Sequence, residues 1–209
     1  MKLLGYQSIY ISVLKLLSTH DLKKSAELLH LQLSPNKSII LNFLDREYEI
    51  SNNTIDLIGQ RVPWTDNSTD GFEYNLKSAL GYYIMSNFDQ EPGHDLCPLS
   101  FFSNGRFKND AFNFKDLDTI FGNNYPKFAK TVTDIGFQFE GEQSKQQYVW
   151  DYLLLPKLPV KIIYFSGDDE FPTKIHFLYD KTAVSVARGH DPLVFLHYGF
   201  TVGLSGLAV

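Results

Sequence analysis

The 209-residue chain is poor in cysteine, in positive charge and in long apolar runs, and each shortage excludes a class of protein. Cys97, the only cysteine, cannot form a disulfide within one chain, and by itself it cannot hold an iron-sulfur cluster or a cysteine-rich zinc ion. So low a thiol count suits a reducing compartment, and a cytoplasmic setting is expected. Nineteen Lys and Arg stand against 24 Asp and Glu, a formal charge of -5, and no basic run exceeds the pair Lys23-Lys24. Tracking phosphates needs a basic stripe, so nucleic acid is not expected as a partner. Nor is a membrane expected, because the most apolar stretch, "LVFLHYGFTVGLSGLAV" at 193–209, falls short of a span and carries three glycines and a histidine. It reads as a buried C-terminal helix. The first residues, "MKLLGYQSIYISVLKLLSTH", are interrupted by Gln7, Ser8, Ser12 and Lys15 and lead to no small-residue cleavage site, so they read as an amphipathic helix.

Signatures of catalysis are scarce as well. "GLSG" at 203–206 follows a helical run, whereas a phosphate-cradling loop opens one. The histidines at 20, 30, 94, 176, 190 and 197 include no pair at the spacing of a helical zinc motif; His190 and His197 lie two turns apart, roughly 10 Å on a helix. Cys97 follows His94 by three residues in "HDLCPLS", but nothing around it resembles a nucleophile elbow or a thiol-protease segment.

Aromatic side chains are what the chain has in abundance. With 17 Phe, 12 Tyr, 44% hydrophobic and only 21% charged residues it can bury a large core, the reverse of a disordered composition. Its length fits one domain over 1–209, with the polar loop "RVPWTDNSTDGFE" at 61–73 as the place where a boundary would fall. Leu3, Tyr6, Ile9, Tyr10, Val13, Leu14 and Leu17, then Leu22, Ala26, Leu29 and Leu33, recur at helical spacing on either side of "STHD" and predict a helical hairpin. Residues 38–59 hold β-branched and aromatic residues around two turn signals and predict two or three short antiparallel strands. A helix is expected around Leu76–Ile84, and a short strand at Leu99–Phe102 within a long loop. Helices are expected over 110–122 and 126–135, the second stopped by Gly136. "YVWDYLLLP", "VKIIYFSG" and "TKIHFLYD" read as strands, and Asp191-Pro192 as the cap and first turn of the last helix. The fold class is therefore α+β: an N-terminal helical hairpin, short antiparallel strands, central helices, and a C-terminal antiparallel hairpin followed by a helix.

The densest group of titratable residues is "SGDDEFP", between the last two predicted strands. Asp168, Asp169 and Glu170 with His176 and Asp180 form the candidate ligand or metal site, since a hard divalent cation takes several carboxylate oxygens. The bland alternative is the wet bend of a hairpin, because unpaired buried carboxylates are costly. Tyr82, Tyr83, Phe101 and Phe102 are the candidate lining of an apolar pocket, and core packing is the alternative for them.

The order of these segments, and above all the block from Leu155 to Asp180 with its prolyl entry, apolar strand, "GDDEFP" turn and aspartate-terminated strand, resembles the family known as domain of unknown function 3786. The resemblance implies a bacterial or archaeal protein, mostly from anaerobes, in the setting of corrinoid and one-carbon metabolism. Some such proteins carry an iron-sulfur domain, for which this chain lacks the cysteines. It implies no activity. Three readings follow: a non-catalytic accessory protein that binds a small molecule or a partner protein; a metal-dependent hydrolase or transferase using the acidic turn; and a structural or oligomer-forming protein. Whether it is an enzyme, and which cofactor it takes, stays open at this level.

Overall fold

A computed structural model describes residues 5–64, 71–103 and 115–208. Leu3, part of the expected first helix, the middle of the 61–73 loop and the start of the expected 110–122 helix lie outside the described residues. The class is α+β, as the patterning predicts, with two antiparallel sheets and helices grouped beside them.

The N-terminal helical hairpin is α1 (Gly5–Leu17) and α2 (Leu22–Leu28). Asp21 caps α2, its Oδ1 accepting from the amides of Lys23 and Lys24 at 3.0 and 3.1 Å, which gives two orphan donors of the first turn a partner. Residues 38–59 become a meander of three strands, β1 (Ile39–Phe43), β2 (Arg46–Ile50) and β3 (Ile55–Gln60). In β1 and β2 every second residue is buried, the signature of a sheet with one face on the core. Helix α3 (Phe72–Ile84) packs against α1 on one side and the last helix on the other.

The expected strand at Leu99–Phe102 is corrected by one segment. The strand is β4 (Leu96–Pro98), and Leu99–Ser103 is a 3-10 turn. Pro98 has no amide to donate, which suits a short edge strand and ends it. Two further helices, α4 (Leu117–Phe121) and α5 (Tyr125–Asp134), are capped by Asp116 and Asn124. Strand β5 (Gln138–Ser144) was not expected: six of its seven residues are exposed, so it has no alternating pattern to read. It pairs with β6 (Gln147–Leu155), which continues through β7 (Leu158–Phe165) to β8 (Lys174–Asp180). The five-stranded sheet runs β4-β8-β7-β6-β5. After the short α6 (Ala183–Val186), α7 (His190–Leu207) closes the chain.

Helix α7 begins two residues before the expected position. Gly189 is its N-cap, and Asp191 and Pro192 both lie in the first turn, where a missing amide costs no intrahelical bond. Its buried residues, Leu193, Leu196, His197, Phe200 and Leu204 among them, sit between α3 and the inner face of the large sheet. Phe200 meets Phe177 of β8 edge-on and lies near-parallel to Phe137, and His197 Nδ1 lies 2.7 Å from the Tyr179 hydroxyl. Each fully buried Phe or Leu here contributes roughly 1.5–3 kcal/mol. The "GLSG" glycines also find a role. A Cβ on Gly203 would lie 2.7 Å from the Trp64 ring and 2.4 Å from Leu44, so only glycine lets Trp64 close on α7. Trp64 in turn carries the Arg46 guanidinium 3.9 Å above its ring and donates to Asp45 at 2.7 Å, while Arg46 reaches Glu73 of α3 at 2.9 Å. Both sheets thereby share one continuous core with the helices.

Candidate ligand-binding site

The acidic turn is the bend between β7 and β8, and the first of its three carboxylates is taken up by the turn itself. Asp168 Oδ1 accepts from the amides of Glu170 and Phe171, both at 2.9 Å, and the Asp168 amide donates back to the Phe171 carbonyl at 2.8 Å. An aspartate that closes its own loop in this way is the usual device of an Asx turn. The two amides, that of Phe171 foremost, hold the Asp168 carboxyl below the ordinary carboxylate range. The turn is also tied to the α4–α5 segment. Asn123 Oδ1 accepts from the Gly167 amide at 2.9 Å and from the Thr173 hydroxyl, Asp118 accepts from the Ile175 amide at 2.8 Å and pairs with Lys174 at 2.9 Å, and the Tyr164 hydroxyl donates to the Gly122 carbonyl at 2.5 Å. A Cβ on Gly167 would lie 2.6 Å from both Asn123 Oδ1 and the Thr173 nitrogen.

The five candidate residues are only partly brought together. Asp168 and His176 border one shallow depression of about 380 Å3, with Lys145, Phe165, Phe171 and Lys174, and the His176 ring stands edge-on to Phe165 at 5.3 Å. Asp169 and Glu170 are exposed. Asp180 is buried at the other end of β8, four residues from His176 and so roughly 13 Å along the strand. Its Oδ1 accepts from the Thr182 amide at 2.9 Å and hydroxyl at 2.6 Å, while Oδ2 has no hydrogen-bond partner of good geometry. Burial works to raise this carboxyl, and the Thr182 hydroxyl and amide and the amides of Gly93 and His94 outweigh it, leaving it below the ordinary range. Among the described residues no three His, Cys, Asp or Glu side chains gather as the ligands of one metal ion would. Cys97 is buried on β4 beside Tyr179 of β8, and burial pushes its thiol up and away from a reactive thiolate.

The four aromatic candidates separate in the same manner. Tyr83 is fully buried and donates to the Pro156 carbonyl at 2.8 Å; burial pushes its hydroxyl well up. Phe101 and Phe102 meet edge-on at 5.6 Å on the 3-10 turn, with Lys181 5.3 Å from the Phe101 ring. Tyr82, one helical step of 100° from Tyr83, is half-buried and lines a crevice of about 480 Å3. Three elements build it. Helix α1 supplies Ile9, α3 supplies Ser78 and Tyr82, and the corner from Arg188 into α7 supplies Pro192 and Phe195. Its mixture of apolar walls with a few polar groups, and its volume, are those of small-molecule clefts, which run about 300–1,000 Å3. Arg188 stands at φ 62 and Gly189 at φ 141, which turns the chain sharply into α7, and His190 Nδ1 lies 3.2 Å from Asp191. The crevice escapes local sequence reading because its walls come from positions 9, 78–82 and 188–195.

One further cluster was not anticipated. On the outer face of the large sheet Lys161 Nζ lies 2.5 Å from Glu140 and 3.3 Å from Asp151, three residues on three successive strands. The lysine draws the Glu140 carboxyl down, while burial and the neighbouring Glu140 push Asp151 up. Pairing of Asp151 with Lys161 across β6 and β7 was the signal, and it needs the strand register to be seen.

No described helix is long and apolar enough to cross a membrane. No curated protein and no solved structure matches the chain. A family model does match, over residues 21–200, which takes in every element from α2 to the first half of α7 and leaves α1 outside. The chain belongs to the family described as domain of unknown function 3786 (DUF3786).

Proposed function

We propose that the protein is a non-catalytic accessory protein that holds a small molecule in the crevice between α1, α3 and α7. The observation that carries this reading is the crevice itself. It brings the apolar side chains of Ile9, Tyr82 and Phe195 together with a few polar groups, as a small-molecule cleft does. The acidic turn supports it by contrast, because Asp168 already serves its own backbone and Asp180 lies at the far end of the strand. The anaerobic, corrinoid and one-carbon setting implied by the family resemblance is the context in which such an accessory role belongs.

Native mass spectrometry of the protein purified from its own host tests the reading. A retained small mass is expected, lost in Tyr82→Ala and kept in Phe101→Ala, whose ring lies outside the crevice. A protein that carries no retained mass, or one whose retained mass survives Tyr82→Ala, overturns it.

A further inference from the structure

Resting on the ligand-binding reading above, we infer the chemical class of the ligand: an amphipathic organic anion, with an aromatic or aliphatic body and one carboxylate. The body is set by the walls. Tyr82 and Phe195 supply aromatic side chains, and Ile9, 40% exposed on α1, supplies an aliphatic one. Apolar surface of this kind gains by contact with an apolar ligand and has nothing to offer a free phosphate.

The charge is set by the rim. Arg188 lines the crevice, and among the described residues no carboxylate lies within ion-pair distance of its guanidinium. A planar fork of N–H donors matches a carboxylate with two parallel hydrogen bonds. Asp191 is the group that weighs against an anion, since it lines the same crevice. Its side chain is 86% exposed, however, and lies 3.2 Å from His190 Nδ1, so water and salt screen its charge. A cationic ligand would meet this screened carboxylate and also face Arg188. A neutral ligand would leave the guanidinium, which is itself exposed, to water alone. A carboxylate head replaces that water with a charge-assisted, two-pronged pair to Arg188.

Calorimetric titration of the full chain with 4-phenylbutyrate, 4-phenylbutanol and 4-phenylbutylamine tests this, because the three probes share a body and differ only in the head. The carboxylate is expected to bind at least about tenfold tighter than the alcohol, the margin of one charge-assisted hydrogen-bonded pair, and the amine weakest. Arg188→Gly is expected to bring the carboxylate to the level of the alcohol, and Arg188→Lys to keep part of the preference. Since Arg188 occupies φ 62, where glycine is at ease, Arg188→Gly should unfold at an unchanged or higher temperature, so a lost preference cannot be a lost fold. Equal binding of the alcohol or the amine, or a preference that survives Arg188→Gly, overturns the anion assignment and leaves the ligand-binding reading standing. Absence of saturable binding by all three probes overturns both.

Discussion

The acidic turn and the α1/α3/α7 crevice are opposites in how they use polar atoms. The turn holds three consecutive acidic residues, yet Asp168 closes its own loop, and Asn123 and Asp118 bind the adjoining backbone. The crevice gathers its titratable groups, Arg188, His190 and Asp191, at one corner, and it keeps apolar surface exposed and a guanidinium with no carboxylate partner among the described residues. Charge density along a sequence is therefore a poor guide to a site when turn backbone competes for the same oxygens. An Asx loop uses the very carboxylate that a metal or a substrate would need.

Adjacent tyrosines offer the sharpest way to break the comparison. Tyr83→Ala removes a fully buried ring and a hydrogen bond to the Pro156 carbonyl, and should cost about 3–5 kcal/mol in urea unfolding, the range for truncating a buried aromatic. Tyr82→Ala, on the crevice side of the same turn, should cost about 1 kcal/mol and abolish ligand retention. If the two variants lost equal stability, Tyr82 would be core and the crevice a packing irregularity. The next largest effects belong to the brace of the turn. Gly167→Ala drives a methyl into the Thr173 backbone and should cost about 1–3 kcal/mol, the usual penalty for overpacking. Asn123→Ala leaves the Gly167 amide and the Thr173 hydroxyl with one acceptor fewer and should cost about 1–2 kcal/mol. Both should leave probe binding in the crevice unchanged; a matched loss of binding would show that turn and crevice are coupled.

The elements were legible in the sequence where local pattern decides them. The α1–α2 hairpin, the meander over 38–59, the helix at 125–134 and the strands through 147–180 follow from spacing and turn residues. β5 was hidden because an exposed edge strand has no buried face to impose alternation, and β4 was shifted because "LSFF" mimics a strand while its backbone turns as a 3-10 segment. Membership of the family was legible in the Leu155–Asp180 block, which is hairpin from end to end and so local in sequence. The crevice is less so. Tyr82 is among the aromatic candidates, but Ile9, Arg188 and Phe195 reach it only through tertiary packing, and the partner of Lys161 on β5 only through sheet register. What brings distant residues together is burial of the α3 and α7 faces, and no window of neighbouring residues encodes that.

The smallest effect separates the roles of the three acidic residues in the turn. The Phe171 and Glu170 amides hold the Asp168 carboxyl below its unfolded value of about 3.9, so its contribution to stability is complete above that pH and is lost as pH falls through the lower folded-state value. Asp168→Ala should therefore unfold at lower urea than the parent at pH 6, with the gap between the two closing progressively below about pH 4. Asp169→Ala, which removes an exposed carboxylate, should show no such gap at either pH. A gap that persists undiminished to pH 2 would mean that the Asp168 side chain acts through its shape and not through its charge. A gap for Asp169 equal to that for Asp168 would return the whole acidic run to the status of a cooperating site, and with it the metal-dependent reading.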